Sequence, residues 1–117
     1  MIDLEVPVIS ALETIVDGKA FRWIIPDEYA DQYPYVRVIE INNTDEDYRD
    51  NKAIASDIEI QVDLWVKGDP LPLQNQIDQI MKSLEFKRIF VTSFFEEDTG
   101  VIRKAMRYKT KVNLKGD

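Results

Sequence analysis

The regular alternation of residues 56–67, "SDIEIQVDLWVK", constrains the fold more than any other feature of the sequence. Every second position is aliphatic: Ile58, Ile60, Val62, Leu64 and Val66. The positions between them are Asp57, Glu59, Gln61, Asp63, Trp65 and Lys67. Successive side chains of a β-strand point to opposite faces, so this pattern predicts a strand with one buried face and one polar face.

Two segments have the apolar spacing of amphipathic helices. The first helix is predicted over residues 5–16, with Pro7 in its first turn and Gly18 just past its end. The second is predicted to begin at Pro70, with Asp69 as its cap, and to end near residue 85. Their apolar stripes predict two helices that cover one layer of strands.

The remaining periodic segments predict four more strands. Short strands are expected at 20–25 and 35–42; at Val38–Ile39 the alternation slips, which indicates either burial on both faces or a bulge. The segments 86–95 and 101–114 flank "EEDTG" and predict a closing hairpin. With no repeat or linker, residues 1–117 are predicted to form one α+β domain. Its expected architecture is an antiparallel sheet of four to five strands with two helices on one face, in the order α-β-β-β-α-β-β.

Composition excludes several function classes. The chain has no Cys and no His, which argues against thiolate nucleophiles, disulfides, common zinc sites and imidazole acid–base chemistry. A net charge of −7 argues against a nucleic-acid clamp, and no apolar run is long enough to span a bilayer. The acidic N-terminal stretch is not a secretory signal, so synthesis and folding in a cytoplasm are expected. No enzyme activity, cofactor or metal is predicted.

Charge is distributed unevenly along the chain. Residues 27–63 hold eleven acidic side chains and three basic ones, whereas residues 101–117 hold six basic and one acidic. These charges pair either across neighbouring strands of one chain or between copies of the chain, and the sequence leaves both alternatives open. The candidate subunit-interface residues are Asp57, Glu59, Asp63, Trp65, Arg103, Arg107, Lys109 and Lys111. Trp65 and Trp23 either cover neighbouring aliphatic groups or anchor an interface.

The stretch "NNTDEDYRDNK", residues 42–52, contains four carboxylates within six positions. These are Asp45, Glu46, Asp47 and Asp50. Aligned as an EF-hand loop, the stretch has Arg49 at a ligand position, Asp50 where glycine is required and Ser56 in place of the final glutamate. A polar loop also offers no pocket to raise a carboxyl pKa for acid–base catalysis. The prediction is a solvated acidic loop between two strands, with use as a contact surface as the alternative.

The order and character of the segments resemble the small tail-terminator proteins of long-tailed bacteriophages, also called tail-completion or head-to-tail joining proteins. The likeness covers residues 5–113. It lies in the opening helix with "FRWIIPDEYADQYPYVRVIEIN", the acidic stretch leading into "SDIEIQVDLWVKGD", the helix "LQNQIDQIMKSLEF", and the hairpin "FVTSFFEEDTGVIRKAMRYKTKV".

The resemblance implies a non-enzymatic ring, typically a hexamer, at the head-proximal end of the phage tail in the virion. Such a ring caps the tail tube, halts its polymerisation and docks to a head-completion protein. DNA would only pass through the ring, without specific binding, and no membrane is involved. In that setting the four carboxylates would rim or face the channel and repel the duplex. A basic strand of one subunit would meet an acidic strand or loop of the next.

A different class of function shares the small size and the negative charge. An acidic monomeric inhibitor or immunity-type protein would bind a basic partner protein by charge complementarity. It would form a salt-sensitive heteromeric complex and would not self-associate.

Overall fold

The computed structural model describes residues 2–49 and 52–113; for residues 46–49, 53 and 54 it describes the backbone only. Two helices, five strands and two short 3₁₀ turns follow one another along the described chain. They are α1 (Glu5–Leu12), a 3₁₀ turn (Glu13–Ile15), β1 (Ala20–Arg22), a 3₁₀ turn (Asp27–Tyr29), β2 (Tyr35–Arg49), β3 (Lys52–Lys67), α2 (Leu71–Ser83), β4 (Lys87–Glu96) and β5 (Val101–Asn113). The predicted order α-β-β-β-α-β-β is confirmed.

The five strands form one mixed sheet in the order β1-β2-β3-β5-β4. Pairs β2–β3, β3–β5 and β4–β5 are antiparallel, whereas β1 runs parallel to β2. The prediction of a purely antiparallel sheet is therefore wrong at this edge. Residues 23–34 connect β1 to β2 through a 3₁₀ turn, and this long connection returns the chain to the starting end of β1. A two-residue turn would have made the pair antiparallel.

Strands β2 and β3 extend much further than the sequence predicted. Their register runs from Tyr35 opposite Trp65 to Arg49 opposite Lys52, with one irregularity between Glu40 and Asn42. Most of the predicted acidic loop at 42–52 is therefore strand, which corrects that prediction. The bulge alternative for β2 is confirmed, but the bulge lies two residues beyond the slip. The long hairpin contributes to a longest molecular dimension of 56 Å.

Both helices pack into a single core, as predicted. Val8 and Leu12 of α1, and Ile77 and Met81 of α2, are fully buried in one cluster. The aliphatic face of β3 belongs to the same cluster, with every member from Ile58 to Leu64 at 0% exposure. Because the helices cover that face, the opposite face of the sheet is left for solvent or a partner; it is called the outer face below.

The helix ends follow from local chemistry. Helix α1 is shorter than predicted and continues as the 3₁₀ turn, after which Asp17 and Gly18 both have positive φ angles. Gly18 N donates to Glu13 O at 2.9 Å, which ends the helical segment. Helix α2 begins at Leu71, with Pro70 rather than Asp69 in the cap position. Asp69 Oδ1 nevertheless accepts a hydrogen bond from Leu71 N, the first amide of the helix, at 3.0 Å.

Candidate interaction surface

A buried carboxylate organises the centre of the outer face. Asp63 of β3 has no exposed surface, although its position in the alternation predicted a solvent-facing side chain. Its Oδ2 accepts hydrogen bonds from Arg37 Nη2 at 2.7 Å and Nε at 3.1 Å, and its Oδ1 accepts one from Arg103 Nη2 at 3.1 Å. Gln61 Nε2 donates to the same Oδ1 at 3.0 Å. Asp63 is therefore not exposed for direct contact with another protein chain, but it holds two arginines against the sheet.

Aromatic rings lie next to these arginines. The guanidinium carbons of Arg37 and Arg103 both lie 5.3 Å from the centroid of Trp65. Arg103 also lies 5.1 Å from the ring of Phe94, and Arg107 lies 5.8 Å from that of Phe90. At these distances each guanidinium is attracted to the face of the ring beside it. The Nε atoms of Arg103 and Arg107 are buried without a hydrogen-bond partner among the described residues.

A stack of rings extends this cluster across β2. Tyr35 stacks on Trp65 with centroids 5.3 Å apart, and Tyr33 stacks on Tyr35 at 5.4 Å. Trp65 thus covers its neighbours and remains only partly exposed. The arginines and rings linked by these contacts are together called the aromatic–arginine face. Its members are Tyr33, Tyr35, Arg37, Trp65, Phe90, Phe94, Arg103 and Arg107.

The predicted interface charges lie on adjacent strands. Asp57 faces Lys111 and Glu59 faces Lys109 in the β3–β5 register. Lys109 Nζ approaches Asp57 Oδ2 at 3.7 Å, and Arg103 contacts Asp63. Glu59 Oε2 accepts a hydrogen bond from Asn42 Nδ2 at 3.1 Å. Of the two alternatives for the uneven charge, the structure shows cross-strand pairing within the chain.

Strand β4 forms one edge of the sheet and exposes four large apolar side chains. Their exposed fractions are 45% for Ile89, 51% for Phe90, 50% for Phe94 and 62% for Phe95. Phe90 and Phe94 belong to the outer face, opposite Arg107 and Arg103 of β5. These four residues are called the β4 edge. Sequence reasoning did not single them out, although the irregular "IFVTSFF" placed too many apolar groups in one strand for a single buried face.

The other edge of the sheet also exposes apolar side chains. They belong to Trp23 and Ile24, which are called the Trp23 corner. Their exposed fractions are 54% and 76%. Trp23 has a φ of 68°, a region that bulky residues seldom adopt. Trp23 Nε1 donates to Glu5 Oε2 at 2.7 Å, and the Arg22 guanidinium lies 5.2 Å from the Trp23 ring. A strained backbone that holds an exposed indole in place is a feature typical of functional sites.

Glu5 is the buried support of this corner, with 2% of its surface exposed. Besides Trp23, it accepts hydrogen bonds from Arg22 Nε at 2.6 Å and from Glu40 N at 2.7 Å. The bond to Glu5 raises the pKa of the Arg22 guanidinium above its ordinary value. In the sequence, Glu5 showed no such role, since an acidic residue in the first turn of a helix is common.

The predicted acidic cluster is described only in part. Asp45 is exposed on β2, and its Oδ1 accepts a hydrogen bond from Ser56 Oγ at 3.0 Å. Glu46 and Asp47 belong to β2 by their backbone, and Asp50 lies outside the described residues. Within residues 2–49 and 52–113, no group of three or more His, Cys, Asp or Glu side chains is arranged to hold a metal ion.

The sequence matches no family model and no curated protein. None of the described helices has both the length and the apolar character that crossing a bilayer requires. The functional argument therefore rests on the fold and on the surfaces described above.

Proposed function

We propose that the protein is a non-enzymatic structural protein that forms a ring on the tube of a phage tail, ends polymerisation of the tube and joins the tail to the head. The β4 edge is the observation that carries this proposal. A sheet edge of ten residues with four exposed apolar side chains is a surface for association. Soluble monomers protect such edges with charges, prolines or covering elements.

The size of the apolar surface supports association. Each aromatic side chain of the β4 edge is about half exposed, which leaves on the order of 100 Å² open per ring. Together with Ile89 the edge thus offers about 300–400 Å² of exposed apolar side chain, divided between the two faces of the strand. The aromatic–arginine face overlaps the β4 edge at Phe90 and Phe94 and adds the aromatic and arginine side chains that are enriched at interfaces.

The choice of a tail terminator among assembly proteins rests on the order of elements. The chain has the opening helix, the strand pair, the second helix and the closing hairpin that carry the resemblance. Strand β2 carries the acidic residues Asp45, Glu46 and Asp47 close to its end at Arg49. In a ring around DNA, these like charges would keep the duplex from adhering to the channel wall.

The charge pairing within the sheet changes how subunits would meet. Asp57 and Asp63 already contact basic groups of the same chain, so an exchange of acidic and basic strands between subunits is not needed to neutralise them. Association would instead use the apolar edge and the charges outside the sheet centre. The inhibitor alternative would rely on exposed acids such as Asp27, Glu28 and Asp31.

Sedimentation velocity over a range of concentrations, with and without tail-tube subunits, tests the proposal. The expected result is a closed oligomer, formed by the protein alone or on the tube. A strict monomer that does not bind tail-tube subunits would refute it. A tight, salt-sensitive complex with a basic protein and no self-association would favour the inhibitor instead. Phe94→Ser on the β4 edge should weaken this association. Leu71→Ser, which also removes an exposed apolar side chain but lies on α2, is the matched control and should leave association unchanged.

A further inference from the structure

We infer that the subunit joint is formed by two different edges of the sheet, with the β4 edge of one copy receiving the Trp23 corner of a second copy. This inference rests on the proposed function and specifies how that ring would close. A contact between two unlike surfaces of identical chains is heterologous, and it closes into a ring when the rotation between subunits allows it.

The directions of the strands suit this joint. Strands β2 and β5 run one way and β3 and β4 the other, while β1 runs with β2. Strand β1 is thus antiparallel to β4. If the sheet continues from one copy to the next, β4 meets β1 in the antiparallel arrangement, which pairs slightly more strongly per residue than the parallel one.

The two edges also lie at the same level of the sheet. One row of opposite residues crosses the whole sheet from β4 to β1. In order, it contains Thr92, Ala105, Asp63, Arg37 and Phe21. The centre of β1 therefore matches the centre of β4, between Phe90 and Phe94. In a continued sheet, the backbone of Trp23 of the second copy reaches the level of Phe90, so each side of the joint carries an exposed aromatic residue at this level.

Charge complementarity favours a second copy as the occupant of the edge. Beside the Trp23 corner, residues 27–31 expose Asp27, Glu28 and Asp31 and contain no basic residue. This acidic segment lies near the outer face, since Tyr29 packs on Phe21 with ring centroids 5.1 Å apart. On the receiving copy, Arg103 and Arg107 lie on the outer face next to the β4 edge. The joint thus brings an acidic segment towards a basic strand.

Two single substitutions disable the two sides separately. Phe94→Asp replaces an exposed aromatic ring of the β4 edge by a carboxylate, which an apolar contact would have to strip of water. Ile24→Lys places an ammonium group on the Trp23 corner, where it would face the arginines. Val6→Asp and Leu71→Lys are controls of matched chemistry, because these exposed apolar residues, at 52% and 53% exposure, belong to α1 and α2 rather than to either edge. Circular dichroism of each variant establishes that it is folded.

Sedimentation velocity of each variant and of their equimolar mixture tests the joint. We expect each edge variant to weaken self-association about tenfold or more, and the controls to behave as the wild type. The mixture is the decisive sample, since one intact joint remains between the Trp23 corner of the Phe94→Asp chain and the β4 edge of the Ile24→Lys chain. It should form dimers and stop there.

Three results would overturn the inference. Edge variants that assemble like the wild type would show that these edges are not used. A mixture that stays monomeric, or an Ile24→Lys variant that still forms wild-type oligomers, would show a different pairing of surfaces. A wild-type protein that is monomeric at every concentration and also forms no oligomer in the presence of tail-tube subunits would exclude the joint. Binding to the tail tube is measured separately, so the ring function can fail while the joint stands, and the reverse.

Discussion

Replacement of Asp63 by asparagine tests whether the outer face is held by a buried carboxylate. Asp63 accepts four hydrogen bonds, two on each oxygen. Asparagine keeps one oxygen and presents an amide donor at the other position. If the oxygen stays on Arg37, the amide faces Arg103 and Gln61, which are also donors there. Gln61 cannot offer its own oxygen instead, because Gln61 Oε1 accepts from Arg107 Nη2 at 3.1 Å.

The expected loss follows from these contacts. Two hydrogen bonds to a charged acceptor disappear, each worth about 1.5–3 kcal/mol. Arg37 and Arg103 are 29% and 32% exposed and regain water when released, which reduces the loss. We therefore expect Asp63→Asn to lower the free energy of unfolding by about 2–4 kcal/mol. An ordinary surface ion pair would contribute only about 0–1 kcal/mol.

Urea unfolding followed by tryptophan fluorescence measures this difference, because Trp65 packs against both arginines. With a slope of about 2 kcal/mol per molar urea, the midpoint should fall by roughly 1–2 M. Asp57→Asn is the matched control, since its Lys109 partner is 46% exposed and 3.7 Å away, and we expect a loss below about 1 kcal/mol. Equal losses for the two variants would refute the argument that burial makes Asp63 the organising group.

Three further predictions concern other parts of the fold. Glu5→Gln should lower the free energy of unfolding by about 2 kcal/mol and change Trp23 emission, because a buried charged acceptor is lost; unchanged emission would contradict this. Burial raises the pKa of Tyr108, whose hydroxyl donates to Asp78, so above pH ~10 only the unfolded chain ionises there. This ionisation should lower the free energy of unfolding by about 1.4 kcal/mol for each unit of rising pH. Denaturant titrations at alkaline pH should show that Tyr108→Phe lacks this contribution. Gly100→Ala should cost about 1 kcal/mol in the same assay, because Gly100 has a φ of 72° in the β4–β5 turn.

Local patterns predicted the elements well where one face of an element is apolar. The alternation of β3 and the stripes of α1 and α2 identified the core, and their order defined the fold class. No local pattern indicates the parallel pairing of β1, since strand direction depends on the path of residues 23–34. The acidic stretch after residue 42 predicts a loop because Asn and Asp favour turns, but its pairing with β3 continues to Arg49.

The candidate site was less accessible to sequence reasoning. Asp63 was correctly placed on the outer face, yet its burial depends on Arg37 and Arg103, which lie 26 and 40 positions away in the chain. Likewise, Glu5 acquires its role only when β1 and β2 bring their donors to α1. Such clusters depend on tertiary contacts between distant segments. The predicted interface strand β5 does border the exposed aromatic edge, but the edge residues themselves follow no simple period.

The most direct test of the central claim is electron microscopy of tail tubes assembled with and without the purified protein. The tube subunit should come from the same genome as this chain. We predict that added protein forms a ring at one end of each tube and stops elongation, and that Phe94→Asp, which disables the proposed subunit joint, loses this activity while Val6→Asp retains it. Tubes that elongate equally in both samples, with bare ends, would contradict the account.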